Sequence, residues 1–294
     1  MQNTSYPVTE SFTETYHPSI DLAKKQDVSE EKKPLTIAQE ITALTDPSFM
    51  TSLARGLAVI KAFSDQRRAM TIAQISHKTG IPRAAVRRCL YTLKQLGYAD
   101  SESNNFYLKP KLLTLGYSYL SSTPLTIAAQ PCLNQVSMSL GESCSLAVLE
   151  HHEVLYISRS QNSRVMSIAL NAGSRLPAYC TSLGRVLLTA LPKHELDNYF
   201  SKVSLRALTE HTIVSEQKIR DILAETADRG YAIVEEELEI GLRSIAVPVR
   251  GASGAISAAL NVGAQASRVS REHMENEFLP ALLNGASELA ILMP

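Results

Sequence analysis

Residues 71–108, TIAQISHKTGIPRAAVRRCLYTLKQLGYADSESNNFYL, constrain this chain more than any other stretch. They predict a short helix, a glycine corner, an arginine-studded second helix and a small hairpin. Thr71 is placed to cap the first helix, with Ile72, Ala73 and Ile75 on roughly one face. Gly80 supplies the left-handed residue that a tight helix-to-helix corner needs. Pro82 falls where a first helical residue would be, so its missing N–H costs nothing. In the second helix Val86, Leu90, Leu93 and Leu96 form the expected buried side, and Arg83, Arg87, Tyr91 and Lys94 recur on the other. Arginines on the N-terminal half of an exposed helix suit a DNA major groove. Arginine donates two hydrogen bonds to guanine, and neighbouring charges hold phosphates.

A solvated basic face on an ordinary helix is the competing explanation. The flanking residues count against it. Gly97 reads as the stop of the helix. Residues 98–102 and 105–108 read as two short strands around Ser103 and Asn104, the wing of a winged helix-turn-helix. Charge adds a second argument. The whole chain of 294 residues is formally neutral, with 29 Lys/Arg and 29 Asp/Glu, yet residues 50–122 carry eleven basic against three acidic side chains. The flanks are acidic: four against eight over 1–49, and fourteen against eighteen over 123–294. A basic segment between acidic ones is the electrostatic footprint of a DNA-binding module. The residues expected to meet DNA are Thr71, Pro82, Arg83, Ala84, Arg87, Arg88, Tyr91, Lys94, Asn104 and Asn105.

Four widely spaced cysteines (Cys89, Cys132, Cys144, Cys180) form no C-x-x-C pair, a pattern suited to a reducing cytoplasm. No apolar run of about 18 residues predicts a membrane span, and no signal layout opens the chain. Residues 1–47 are polar and read as a poorly ordered arm, with a short helix available over 35–44. Residues 48–109 form the expected winged domain, opened by a helix over 52–63 with Leu53, Leu57, Ile60 and Phe63 at helical spacing. Residues 110–123 form a linker helix, its Leu112, Leu115 and Tyr119 on one side, serving as a rigid spacer or a dimer contact.

From residue 124 to 294 strands and helices alternate. Helices are expected over 126–140, 182–190, 215–229 and 271–293, and strands over 143–149, 154–160, 165–170, 231–235, 245–250 and 255–262. Strand hairpins with helices around them predict an α/β sensor-type domain and exclude a parallel doubly wound sheet.

Two blocks of this half are specific. One is GSRLPAYCTSLGRVLL over 173–188; the other is RGYAIVEEELEIGLRSIAVPV over 229–249. With the winged segment, they make residues 50–292 resemble the IclR-type transcription regulators. The wording PAYCTSLGRVLL is most similar to the branch controlling catabolism of aromatic acids such as protocatechuate or para-hydroxybenzoate. The resemblance implies a GAF-like effector domain around a small-molecule pocket. It also implies a DNA operator of palindromic or repeated half-sites read by a homodimer or tetramer, with no membrane partner and no cofactor.

By the same resemblance, Tyr179, Thr181, Ser182, Leu183, Val234, Leu242, Ser244, Asn261 and Gly263 match pocket positions. Val234 and Ser244 depart from the aspartate or cysteine that some relatives place there. The residues themselves support a carboxylate site. Ser182 and Leu183 open a helix, where free N–H groups and the dipole favour an anion. Asn261 is polar in an apolar strand and needs a partner if buried. Arg159 and Arg243 flank strands and suit bidentate pairing with a carboxylate. Each arginine has a structural alternative, an ion pair with Glu235, Glu236 or Glu237, and Thr181 and Ser182 have one as plain helix caps. An enzyme would pair Cys180 or Cys144 with His151, His152, His194 or His211, but no nucleophile elbow, zinc spacing or phosphate loop accompanies them. The remaining alternative is a scaffold domain that binds no ligand.

Overall fold

The computed structural model describes residues 37–43, 46–63, 68–122, 124–161 and 170–291. The chain divides into two compact units, 1–110 and 111–294. The expected arm lies outside the described residues except for 37–43 and 46–47, and so does nearly all of the strand expected over 165–170.

In the first unit, α1 (Ile37–Ala43) and α2 (Thr51–Ala62) precede the short strand β1 (Ala69–Met70). Next come α3 (Ile72–Thr79), α4 (Arg83–Gln95), β2 (Ala99–Glu102) and β3 (Asn105–Leu108). The strands pair antiparallel in the order β1-β3-β2. Thr71 caps α3 in a reciprocal box: its hydroxyl accepts from the Gln74 amide, and the Gln74 side chain accepts from the Thr71 amide. Gly80 closes α3 at φ 72° and Gly97 follows α4 at φ 78°, both left-handed. Ile75, Ile81, Val86, Leu90, Leu93, Ala58, Val59 and Met70 fill the core.

Four local expectations are corrected. Pro82 sits one place before the helix, as the N-cap of α4. Leu96 lies just past the end of α4 and is 52% exposed, because the apolar stripe closes at Leu93. Ala73 is exposed. Leu53 and Leu57 are exposed as well, since α2 buries its small face, Ala58, Val59 and Ala62, against α3 and α4.

In the second unit, a single turn (Pro110–Leu112) leads into α5 (Leu113–Ser122) and α6 (Pro124–Leu140). The strands are β4 (Ser143–Glu150), β5 (Glu153–Ser160), β6 (Arg175–Pro177), β7 (Ala232–Glu235), β8 (Leu242–Arg250) and β9 (Ile256–Gln265). The helices between β6 and β7 are α7 (Ser182–Leu188), α8 (Lys193–Lys202) and α9 (Glu216–Arg229). The chain ends with α10 (Arg271–His273), a wider turn (Met274–Phe278) and α11 (Leu279–Ala290). α8 and β6 have no counterpart among the expected elements, and the helix expected over 271–293 is interrupted by the wider turn.

The six strands form one antiparallel sheet in the order β6-β5-β4-β9-β8-β7. Alternation along the strands sorts side chains to two faces. Cys144, Leu146, Ile233, Ile245, Val247, Leu260 and Val262 pack with α6 and α11. Ala147, Tyr156, Ala232, Ala246 and Ala259 pack with α7, α8 and α9. The result is helices on both faces of the sheet, the three-layer form of the expected α/β domain. The approach of α7 depends on Gly184, where an added Cβ would stand 2.1 Å from the Ala178 carbonyl oxygen.

Candidate functional site

On the first unit, α4 offers a continuous polar face. Val86, Leu90 and Leu93 are turned into the core, which leaves Arg83, Ala84, Arg87, Arg88, Tyr91 and Lys94 exposed. Pro82, Asn104 and Asn105 are exposed too, the asparagines at the tip of the β2–β3 wing next to Ser103 at φ 55°. Among the described residues Arg83, Arg87 and Arg88 have no protein partner. Two expected contacts are already engaged. Lys94 bonds the Ser101 hydroxyl at 2.8 Å and pairs with Asp100 at 2.9 Å, tying α4 to the wing. That bond holds the Asp100 carboxyl below its ordinary pKa. Thr71 spends its hydroxyl and amide on the capping box, so it positions α3 and offers DNA no free donor.

On the second unit a cavity partly open to solvent lies against the face of the sheet that carries α7. Two cross-strand rungs form its floor. One runs Val234, Ser244, Gly263, Ser143 across β7, β8, β9 and β4. The other runs Asn261, Ser145, Arg159 across β9, β4 and β5. Thr181 and Ser182 contribute from the start of α7, Glu237, Leu238 and Glu239 from the β7–β8 connection, and Leu242 from the start of β8; Tyr156, Leu170 and Cys180 complete the lining. Glu236 takes φ 56° in that connection, a strained value for glutamate, held by its amide to the Leu242 carbonyl and its carboxylate to the Gly241 amide.

Of the expected effector residues, Arg159, Thr181, Ser182, Val234, Leu242, Ser244, Asn261 and Gly263 line this cavity. Tyr179, Leu183 and Arg243 do not, and these three placements are corrected. The Tyr179 hydroxyl donates to the Arg206 carbonyl at 2.7 Å and accepts from the Arg206 amide at 3.1 Å, so it holds a distant loop. Leu183 is fully buried in the core beneath α7. Arg243 takes the structural alternative: it pairs with Glu235 at 2.5 Å and donates to the Ala266 and Val269 carbonyls. Ser143, Ser145, Tyr156 and the 237–239 segment were missed. The i, i+2 spacing of Ser143 and Ser145 was the available signal for the first two.

The cavity sets the apolar Leu170, Val234, Leu238 and Leu242 beside convergent polar groups, a combination suited to a small molecule with one polar end. Arg159 donates to the Ser145 hydroxyl at 3.1 Å, while its Nε is buried without a partner among the described residues. Burial lowers its pKa, yet a guanidinium stays charged. The Ser182 hydroxyl is likewise buried and unpartnered among the described residues. Thr181 caps α7 through the Gly184 amide at 3.1 Å. Together these groups can receive a carboxylate, with Leu170, Val234, Leu238 and Leu242 against an apolar body.

Nucleophilic chemistry is poorly served. Burial pushes the Cys180 thiol up to about 12 and the Cys144 thiol higher still, so neither forms a thiolate near neutrality. The His152 ring packs edge-on against Tyr199 at 5.7 Å. No group of His, Cys, Asp or Glu among the described residues is arranged to hold a metal ion. No described helix is long and apolar enough to cross a membrane.

Comparison with known proteins places both units. Residues 117–291 match the family described as Bacterial transcriptional regulator IclR C-terminal, and residues 52–103 match the IclR helix-turn-helix domain. The Pca regulon regulatory protein of Pseudomonas putida is 51% identical over 254 residues, 86% of this chain and 87% of that protein. The p-hydroxybenzoate hydroxylase transcriptional activator of Acinetobacter baylyi is 38% identical over 250 residues, 83% of this chain and 92% of that one. Among solved structures, a double mutant of the PobR transcription factor inducer binding domain from Acinetobacter, complexed with 3-hydroxybenzoic acid, is 37% identical with a TM-score of 0.53. That match covers 55% of this chain and 95% of the other.

Proposed function

The chain belongs to the IclR family of bacterial transcriptional regulators, and we propose that it is a cytoplasmic, aromatic-acid-responsive regulator of catabolic genes. The observation that carries the effector reading is the cavity lined by Arg159 and Ser182, each of which holds a buried polar atom without a partner among the described residues. A carboxylate on an aromatic ring supplies the acceptor both groups lack. The relative crystallised with 3-hydroxybenzoic acid supports a ligand of this class.

In this reading α4 enters the major groove with Arg83, Arg87 and Arg88, and the wing touches the phosphate backbone or minor groove through Asn104 and Asn105. A homodimer presents two such heads to palindromic or repeated half-sites about one helical turn apart. The exposed Leu113, Leu115, Tyr117 and Tyr119 of α5 suit the dimer contact, and pairing of dimers gives a tetramer. The effector acts by binding one arrangement of the heads more tightly than another.

The test combines two measurements on the full chain. A thermal-shift series with 4-hydroxybenzoate and 3,4-dihydroxybenzoate reads binding, since a ligand of the native state at 100 times its Kd adds about 2.7 kcal/mol. Operator-fragment anisotropy with and without the same acids reads the response. A higher Tm with changed DNA affinity is expected. No shift with either acid, or consumption of the acid, rejects the reading.

A further inference from the structure

Six buried side-chain polar atoms among the described residues have no hydrogen-bond partner, and three of them belong to residues that line the cavity described above: Arg159 Nε, Ser182 Oγ and Glu239 Oε2. The first two fit the carboxylate of the proposed effector. Glu239 does not, because an ionised carboxyl only accepts hydrogen bonds. Its neighbours in sequence all have partners: Glu235 pairs with Arg243, Glu236 accepts from the Gly241 amide, and Glu237 pairs with Arg185. Among these acidic side chains Glu239 is the one that lines the cavity with a buried oxygen, Oε2, that has no partner among the described residues. Unpaired buried acceptors are costly, so such an atom calls for an explanation.

Topology puts Glu239 on the opposite wall from Arg159. Arg159 stands on β5 and Glu239 follows β7 on the way to β8, so β4 and β9 lie between. Both side chains line the cavity, one from each side of the β4–β9 pair.

We propose that Glu239 is a specificity-determining residue that accepts a hydrogen bond from a ring hydroxyl of the effector, so that the cavity selects hydroxylated aromatic acids over the unsubstituted acid. The inference rests on the effector reading above and narrows it. Benzoate would satisfy Arg159 and Ser182 while leaving the Glu239 acceptor unpaired. A hydroxyl far from the carboxylate pairs it. Burial raises the Glu239 pKa, consistent with a carboxyl held in an enclosure without a cation.

Titration calorimetry of the full chain with 4-hydroxybenzoate, 3,4-dihydroxybenzoate and benzoate tests it. The wild type should bind a hydroxylated acid about 10- to 100-fold more tightly than benzoate, the range for a hydrogen bond to a charged acceptor. Glu239→Gln should keep much of that preference, because its amide oxygen still accepts. Glu239→Leu should lose it while binding benzoate at least as well. Equal wild-type binding of benzoate and both hydroxylated acids overturns the role of Glu239 and leaves the effector reading intact, as does a folded Glu239→Leu that keeps its preference. Binding of none of the three acids overturns the effector reading and this inference with it. If Glu239→Leu does not fold, the wild-type ratio and its retention in Glu239→Gln decide.

Discussion

Arg185 and Glu237 form an ion pair at 2.7 Å with side chains only 3% and 5% exposed, and the glutamate half of the pair belongs to the cavity wall. Arg185 also donates to the Tyr179 carbonyl, and Glu237 also accepts from the Ile213 amide. Removing one partner strands the other charge in the interior. Arg185→Leu should therefore lower stability by about 3–5 kcal/mol, measured by urea denaturation. It should weaken effector binding as well, because Glu237 loses its anchor. A loss below 1 kcal/mol would show that the pair is hydrated or replaceable.

Gly184 tests the packing of α7. An alanine Cβ would overlap the Ala178 carbonyl oxygen, a backbone atom that cannot rotate away. Gly184→Ala should cost at least about 1–3 kcal/mol, the usual scale for overpacking, and should displace Ser182 enough to reduce ligand affinity. Gly116→Ala, where nothing lies within 4 Å of the added carbon, is the clash-free control within a helix and should stabilise by up to about 1 kcal/mol.

Arg87→Ala addresses the DNA face. Operator affinity should fall, and if Arg87 holds a phosphate, the slope of log K against log salt should lessen by about 0.9. If it reads a base, the loss should be about 1–3 kcal/mol and confined to one operator position. Unchanged binding at every salt concentration would remove Arg87 from the interface.

Glu239 also makes a pH prediction. Burial raises its folded pKa above the ordinary value, so the folded state holds the proton more tightly than the unfolded state. The ionised group therefore destabilises the empty protein above the folded pKa, and that penalty vanishes below the unfolded pKa. Glu239→Gln should be more stable than wild type at neutral pH. The gap should close as pH falls through the raised pKa. Parallel stability curves across that window would mean the carboxyl is solvated.

The exposed apolar positions of α5 predict a weakened dimer when made charged. Leu113 is 75% exposed and Tyr117 68%. A Leu113→Glu, Tyr117→Glu double variant should sediment as a smaller species than wild type at micromolar concentration. An unchanged sedimentation coefficient would place the contact elsewhere.

Local chemistry made much of this legible in the chain. Thr71, Gly80 and Gly97 mark helix ends that the structure contains, because caps and left-handed residues act within a few positions. The wing strands follow from the same reasoning. What failed depended on distant partners. Arg159 and Arg243 look alike in sequence, both flanking strands, and the register separates them: Glu235 stands opposite Arg243, and Ser145 opposite Arg159. Tyr179 was misplaced because its hydroxyl partner, Arg206, is 27 residues away. Leu53 and Leu57 share helical spacing with Ile60 and Phe63, yet α2 meets the core through alanine and valine. Glu239 went unnoticed because an acidic run reads as solvated until the fold shows which member turns inward.

The cavity floor and the packing against α6 and α11 occupy opposite parities of the same strands: Ser143, Ser145, Asn261 and Ser244 on one side, Cys144, Leu146, Val262 and Ile245 on the other. Chemical preference and mechanical soundness are thus recorded in interleaved positions that seldom interfere. A lineage can exchange one effector for another by editing every second residue, while the sheet beneath keeps its footing.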